Sequence, residues 1–405
     1  MWSFSHPRTS TSEQSQQPDI LVISRVFFPD AGGIQEYAYN RCLQDPDRVI
    51  VLTSACAGDQ AFDQTQPFRV YRWPMPPLSR FGGLGSLLKQ ILNIIWSVVL
   101  GIRLFQRYHY RYIEWCHGYD FPALLVLSYL LPVRCFVYLH GDDVLCPLKN
   151  PVFRWLFEWT LQRTGGIVCN SNFTRNYLQA HFQIDSPTHI IHPTVRPEKF
   201  GNTNLKQVNL LRTEIRQKYE ISEDAIAILS VGRLVRRKGF DRVIEQLPAL
   251  LAEGLDIYYL ICGQGPMESE LRQLAENLGV TSRVIFAGYV PDDELAGYYA
   301  ACEFFSMLTF FDNKVKSIEG FGIVYLEAGY FGKPVIASRV GGVEDAVLHG
   351  ESGLLVDPNS TDEIFEMLRQ LCTDRELRDR LGRRGKELAQ RTTLHRSLYT
   401  TPIPA

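Results

Sequence analysis

Two acidic side chains, Glu319 and Glu327, stand eight residues apart in the stretch EGFGIVYLE. Gly320 and Gly322 fall between them, and the apolar Ile323, Val324, Leu326 and Ala328 surround the second. Where that stretch is helical, eight residues rise roughly 12 Å. This is the reach of a nucleotide sugar, with one carboxylate near the sugar and the other near the ribose. A solitary glutamate on a helix is ordinarily a solvated surface group. A pair set among glycines and apolar residues is poorly explained by solvation.

An activated sugar also carries a diphosphate, and the chain offers groups to meet it. Arg233 and Lys238 lie in SVGRLVRRKGFD, where an apolar strand ends in glycine and runs into four cations. Cations at the carboxyl end of a strand can neutralise a diphosphate and stabilise it as it departs. Gly32 and Gly33 follow the first apolar run and precede a helical stretch. Missing side chains there let backbone N–H groups at a helix start approach a phosphate or sugar oxygen, although a tight turn explains the same pair. Gly263 and Gly265, and Gly341 with Gly342, sit likewise after strand-like runs, and each is read equally as a turn or a ligand contact. The pattern G-x-G-x-x-G is absent, and VIVLTSACAG ends without the acidic residue that would hold a ribose, which argues against a nicotinamide enzyme.

His140 follows the apolar run CFVYL and opens HGDD, so it falls at the carboxyl end of a strand in the first half of the chain. A lone histidine beside a strand is more often structural, but the flanking glycine and two acids favour a ligand contact. No C-x-x-C, His-x-x-x-His or dense carboxylate cluster marks a metal site. Departing phosphate would then be stabilised by cations and backbone amides.

These groups need a scaffold that delivers them to one cleft. At 405 residues the chain exceeds what a single core serves, and two domains of roughly 200 residues are expected. From Asp19 onward, Val- and Ile-rich runs alternate with helix-length amphipathic stretches, the pattern of parallel sheets covered on both faces. The boundaries expected are a disordered tail at 1–18, a first α/β domain at 19–195, a linker at 196–222, a second α/β domain at 223–390 and an irregular tail at 391–405. Strands are expected at Ile20 to Phe27, Val49 to Thr53, Tyr112 to Trp115, Cys135 to Leu139, Gly166 to Asn170 and Thr188 to His192. A second set is expected at Ala225 to Val231, Leu255 to Cys262, Arg283 to Ala287, Glu303 to Met307, Pro334 to Ser338 and Gly353 to Val356. Two such domains face each other across a cleft at the carboxyl ends of their strands.

Lys plus Arg number 42 against 44 Asp plus Glu, a balance that gives no field for nucleic acid. Nine cysteines without a C-x-x-C pair read as buried, reduced thiols, and the polar first eighteen residues lack the apolar core of a secretory signal. A cytoplasmic protein is expected. The segment 87–105, LLKQILNIIWSVVLGIRLF, is apolar but interrupted by Lys89, Gln90, Asn93 and Arg103, so its uninterrupted part is too short to span a bilayer. It reads as a mostly buried helix or, alternatively, as an interfacial helix with Lys89, Arg103, Arg107 and Arg111 near anionic lipid at the inner membrane face.

With these residues placed, the sequence resembles a retaining glycosyltransferase of the large sucrose-synthase-like family 4, from about Asp19 to Asp357. The matching pieces are GGIQ at 32–35, HGDD at 140–143, VGRLVRRKG at 231–239 and EGFGIVYLE at 319–327, followed by GKPVIASRVGG and GLLVDP. The resemblance implies the GT-B fold of two Rossmann-like domains. It implies that Glu319 binds hydroxyls of the donor sugar, Glu327 the ribose, and Arg233 and Lys238 the diphosphate, helped by the amides of Gly33, Phe321, Gly322 and Ile323. His140 would lie beside the transferred sugar. The family's H-G-x-D makes Asp143 the closer match than Asp142.

It further implies a hexose moved from a UDP- or GDP-sugar, as co-substrate and without metal or other cofactor, to a lipid, an envelope-polysaccharide precursor or a small sugar, with the anomeric configuration kept. Two departures stand out. The loop TFFDNKVKS (309–317) carries extra charge and is expected to order on donor binding. The end, HRSLYTTPIPA, lacks the long helix that usually crosses back to the first domain. A second reading follows from that end: a donor-binding but catalytically impaired module acting as a regulatory or scaffold subunit.

Overall fold

Every residue of β1 (Ile20–Ser24) is buried, as expected of a central parallel strand whose two faces are both covered. Leu21 and Ile23 enter one apolar cluster and Ile20 and Val22 the other, so the strand's two-residue period divides its side chains between two helical layers. The computed structural model describes residues 17–76, 82–201, 205–314, 316–391 and 398–399. The expected tail at 1–18 lies, but for its last two residues, outside them.

The first sheet adds β2 (Val49–Ser54), β3 (Arg69–Trp73), β4 (Tyr112–Trp115), β5 (Arg134–Leu139), β6 (Gly166–Cys169) and β7 (Thr188–Ile190). The second holds β8 (Ile226–Val231), β9 (Ile257–Cys262), β10 (Val284–Gly288), β11 (Phe304–Met307), β12 (Val335–Ser338) and β13 (Gly353–Val356). Their orders are β3-β2-β1-β4-β5-β6-β7 and β10-β9-β8-β11-β12-β13, and the strand pairings within both sheets are parallel. Each order reverses once, at β1/β4 and at β8/β11. Loops leave such a switch point in opposite directions and open a crevice there. The protein has the GT-B architecture of two Rossmann-like α/β domains.

Strand β3 has no counterpart among the expected strands. Its sequence, RVYRW, carries two arginines three residues apart, tolerated at the edge of the sheet, where Arg72 reaches Asp63 at 2.8 Å. The helix Leu205–Lys218, expected within the connection, is fastened to the second domain. Its Arg216 is buried and donates to the carbonyls of Ala301 and Ala225 at 2.7 and 2.6 Å.

Of the expected tail at 391–405, only Arg391, Leu398 and Tyr399 are among the described residues. After the helix Arg375–Ala389, Leu398 and Tyr399 lie on the first domain. The Tyr399 ring sits 4.6 Å from that of Tyr112, and its hydroxyl accepts from Arg41 at 2.8 Å. Arg41 is itself buried and grips Glu114 at 2.9 Å. Leu398 and Tyr399 therefore meet the first domain through an aromatic anchor.

The apolar segment 87–105 lies within one helix, Gly82–Tyr108, of 27 residues, about 40 Å long. By length and composition alone it could cross a bilayer, so the segment is longer than its interruptions suggest. Only 22% of its most apolar window is buried, which corrects the expectation of a mostly buried helix.

Candidate functional site

Glu319 sits between β11 and the helix Ile323–Tyr330. Gly322 precedes that helix with φ of 91°, a left-handed conformation that glycine adopts without strain. Gly320 is required for a different reason: a Cβ there would lie 1.8 Å from the His140 carbonyl oxygen. The signature loop of the second domain thus rests directly on the HGDD loop of the first.

The Glu319 carboxylate accepts from Lys238 Nζ at 2.7 Å and from Arg237 Nη1 at 2.9 Å. Both cations come from the turn Arg236–Lys238 after β8. Gly239 ends that turn with φ of 68°, where a Cβ would meet the Leu308 carbonyl at 2.0 Å. Burial works against the charged form of Glu319, but Lys238 and Arg237 outweigh it and hold the carboxyl at about 2. Burial likewise pushes the Lys238 ammonium below the ordinary lysine range; Glu319 pulls it up, and Arg237 adds to the depression. Arg233, four residues earlier than Arg237, is exposed.

His140 is held by its own loop. Its Nε2 lies 3.0 Å from the Cys116 carbonyl, which can only accept, so Nε2 carries the hydrogen and Nδ1 is the acceptor. Burial lowers its pKa against the pull of Asp143, which keeps the ring neutral at pH 7. The adjacent acids divide the labour. Asp143 is 1% exposed and accepts from the amides of His140 at 2.9 Å and Gly118 at 2.7 Å, so it braces the loop. Asp142 crosses the cleft and accepts from Ser317 Oγ and the Ile318 amide, both at 2.7 Å.

Glu327 lies in a separate polar cluster. It accepts from Lys199 Nζ at 2.7 Å and Tyr299 Oη at 2.8 Å. Arg196, three residues before Lys199, reaches Glu36 at 3.0 Å, in the first turn of the helix Gly33–Gln44 that Gly32 precedes. Burial opposes the charge on Lys199, yet Glu327, Asp292 and Glu36 raise its pKa above the usual lysine value. Phe321 is buried against His192, with ring centres 5.3 Å apart, and Ile323 begins the signature helix.

Gly263 and Gly265 serve close packing. A Cβ on Gly263 would lie 1.9 Å from the Gly232 carbonyl, and one on Gly265 2.4 Å from that of Leu234. The Gly263 amide donates to Gly288 at 2.7 Å. Among the described residues, no group of three or more His, Cys, Asp or Glu is placed to hold a metal ion.

This geometry coincides with two family matches. Residues 31–199 match the model for Glycosyltransferase Family 4, and residues 212–388 that for Glycosyl transferases group 1. The chain belongs to the family 4 glycosyltransferases. It is 27% identical over 382 residues to the GDP-mannose-dependent alpha-(1-6)-phosphatidylinositol monomannoside mannosyltransferase of Mycolicibacterium smegmatis, covering 91% of this chain and 93% of that one. The enzyme of the same name from Mycobacterium tuberculosis is 30% identical over 257 residues, covering 63% of this chain and 64% of that relative, a little under two thirds of its length. Among solved structures, Anabaena HepE in complex with UDP and glucose aligns with a TM-score of 0.73 at 19% identity, covering 94% and 96% of the two chains. Sucrose-phosphate synthase from Thermosynechococcus elongatus aligns with 0.73 at 22%, covering 95% and 96%.

Within this family 4 glycosyltransferase, the structure brings Glu319, Lys238 and the His140 loop together. Among the described residues it leaves Arg233 outside the ion pairs, and it engages Glu327 with Lys199. Sequence reading missed Arg237, Asp142, Lys199 and Tyr299. Arg237 had a signal, since it stands in the same cationic run as Lys238; the contacts of Lys199 and Tyr299 span 128 and 28 residues and left none.

Proposed function

We propose that this glycosyltransferase moves mannose from GDP-mannose to a lipid-linked acceptor, with retention of anomeric configuration and without a metal ion. The observation that carries the reading is the Glu319 carboxylate held by Lys238 and Arg237 against the His140 loop. The names of the mycobacterial relatives support the choice of donor and acceptor class.

In this reading Lys238, Arg237 and Arg233 meet the diphosphate, aided by the amides at the start of the signature helix, while Glu319 takes hydroxyls of the sugar. Charge developing on the departing phosphate falls on cations already fixed in place, which lowers the barrier more than mobile solvent would. The neutral His140 offers Nδ1 to a sugar hydroxyl. The acceptor oxygen bonds to the anomeric carbon as the bond to the diphosphate breaks, and the acceptor proton passes to the departing phosphate oxygen on the same face. Glu327 holds the ribose once Lys199 shares it.

The test is nucleoside diphosphate release from GDP-mannose, UDP-glucose and ADP-glucose, with a phosphatidylinositol mannoside acceptor and EDTA present. Turnover of GDP-mannose with an α-linked product is expected. Turnover of none of these donors, or only after a divalent metal is restored, sinks the reading. The packing of Leu398 and Tyr399 on the first domain supports this reading over that of an impaired regulatory or scaffold subunit.

A further inference from the structure

The helix Gly82–Tyr108 turns a row of large apolar side chains to solvent while others, Ile94, Trp96 and Leu104 among them, pack on the first domain. It buries Gly85, Asn93, Ser97 and Gly101 along most of its length and Leu104 and Tyr108 at its end, while Leu84, Leu87, Leu88, Ile91, Ile95 and Val99 stand 36–62% exposed. Between Gly82 and Gly101 the fully buried residues are small or polar, and the helix packs closely there. A Cβ on Gly101 would meet Leu127 of the helix Phe121–Leu130 at 3.2 Å, and Asn93 accepts from the Trp73 indole at 3.1 Å.

The exposure continues across two further helices. The helix Phe121–Leu130 presents Tyr129 at 53% and Leu130 at 57%, and its neighbour Pro151–Gln162 presents Trp155 at 61% and Trp159 at 37%. Trp159 lies 6.0 Å from Tyr129 and 5.2 Å from Trp155, so the aromatic rings join into one surface. Of the sixteen large apolar side chains that stand exposed among the described residues, thirteen lie on these three helices. Contiguous exposure of this kind marks an interaction site.

We propose that these three helices form a platform that docks on an anionic bilayer, with Trp155 and Trp159 seated in the interface and Lys89, Arg103, Arg107 and Arg154 on lipid headgroups. Charge decides for lipid over a second copy of the chain. The three helices carry those four cations and a single acid, Glu158, whereas the whole chain has a net charge of -2. Tryptophan and tyrosine beside exposed Leu and Ile match the layered chemistry of a membrane interface. The platform rests on the lipid-acceptor reading for its purpose, but its test is independent of transfer.

Full-length protein is sedimented with vesicles of phosphatidylcholine alone and of phosphatidylcholine with phosphatidylglycerol, and tryptophan emission is recorded. Binding that strengthens with phosphatidylglycerol and shifts emission to the blue is expected. The Trp155→Ser/Trp159→Ser double variant is expected to lose on the order of a hundredfold in partitioning, and Lys89→Glu/Arg107→Glu to lose its preference for the anionic vesicles. An unchanged donor-induced rise in Tm shows that both variants fold. Donor turnover with a water-soluble acceptor, run on the same samples, reports the proposed activity separately. Absence of binding to either vesicle, binding without an emission shift, or a dimer that the tryptophan variant dissolves would each overturn the proposal.

Discussion

At the scale of single residues, the ionisation of Glu319 is fixed by its two cations. Its folded pKa of about 2 lies below the ordinary 4.5, so the stability it contributes is present above about pH 4.5 and is lost as the pH falls toward 2. Denaturation of wild type and Glu319→Gln should therefore differ by a constant amount above about pH 5 and converge in acid; a difference that persists at pH 2 would show the ion pair is not responsible. Loss of the carboxylate should also lower kcat/KM about a hundredfold. Arg237→Ala should cost about tenfold through its lost charged hydrogen bond, whereas Arg236→Ala, at an exposed neighbour, should cost almost nothing; equal losses would contradict the orientation of this turn. Glu319 and Lys238 were legible because spacing around glycines is a local property. Arg237 could not be separated from Arg236 in sequence, since only the turn into the left-handed Gly239 decides which guanidinium faces inward.

At the scale of elements, the two domains are joined by loops whose side chains reach across. Asp142 fixes Ser317 and Ile318, two residues and one residue before Glu319, and so positions the signature loop without touching the donor. Asp345 answers from the other side, accepting from Asn172 Nδ2 at 2.7 Å. Asp142→Ala should lower kcat about tenfold with little change in Tm, and Asp142→Asn, which still accepts from the Ile318 amide, should recover most of it. A full loss of fold in both variants would assign Asp142 a structural role only. Most strands could be read because buried parallel strands are continuous apolar runs. The exception, β3, interleaves Arg69 and Arg72 with Val70, Tyr71 and Trp73, a pattern that polar loops share. The long helix differs from expectation for a related reason: Asn93, which reads as an interruption of the apolar run, is buried on the face that packs, while Leu84, Leu87 and Ile91 face outward.

At the scale of the whole molecule, the chain closes on itself. Tyr399 lies on Tyr112 and Arg41, so Leu398 and Tyr399 are pinned to the first domain's sheet. Tyr399→Ala should destabilise the fold by about 2 kcal/mol in urea denaturation; an unchanged midpoint would show that the anchor bears no load. This return could not be read from HRSLYTTPIPA, because its partners Arg41 and Tyr112 are hundreds of residues away and no helical period announces it. Domain closure brings the cations of one half to the histidine of the other, and the account depends on their acting together on a diphosphate sugar. The most direct measurement is the rate of GDP release from GDP-mannose by Lys238→Ala beside wild type, at saturating donor. The account predicts a loss of about a hundredfold or more in kcat with the folded state intact; a variant that turns over donor at the wild-type rate would contradict it.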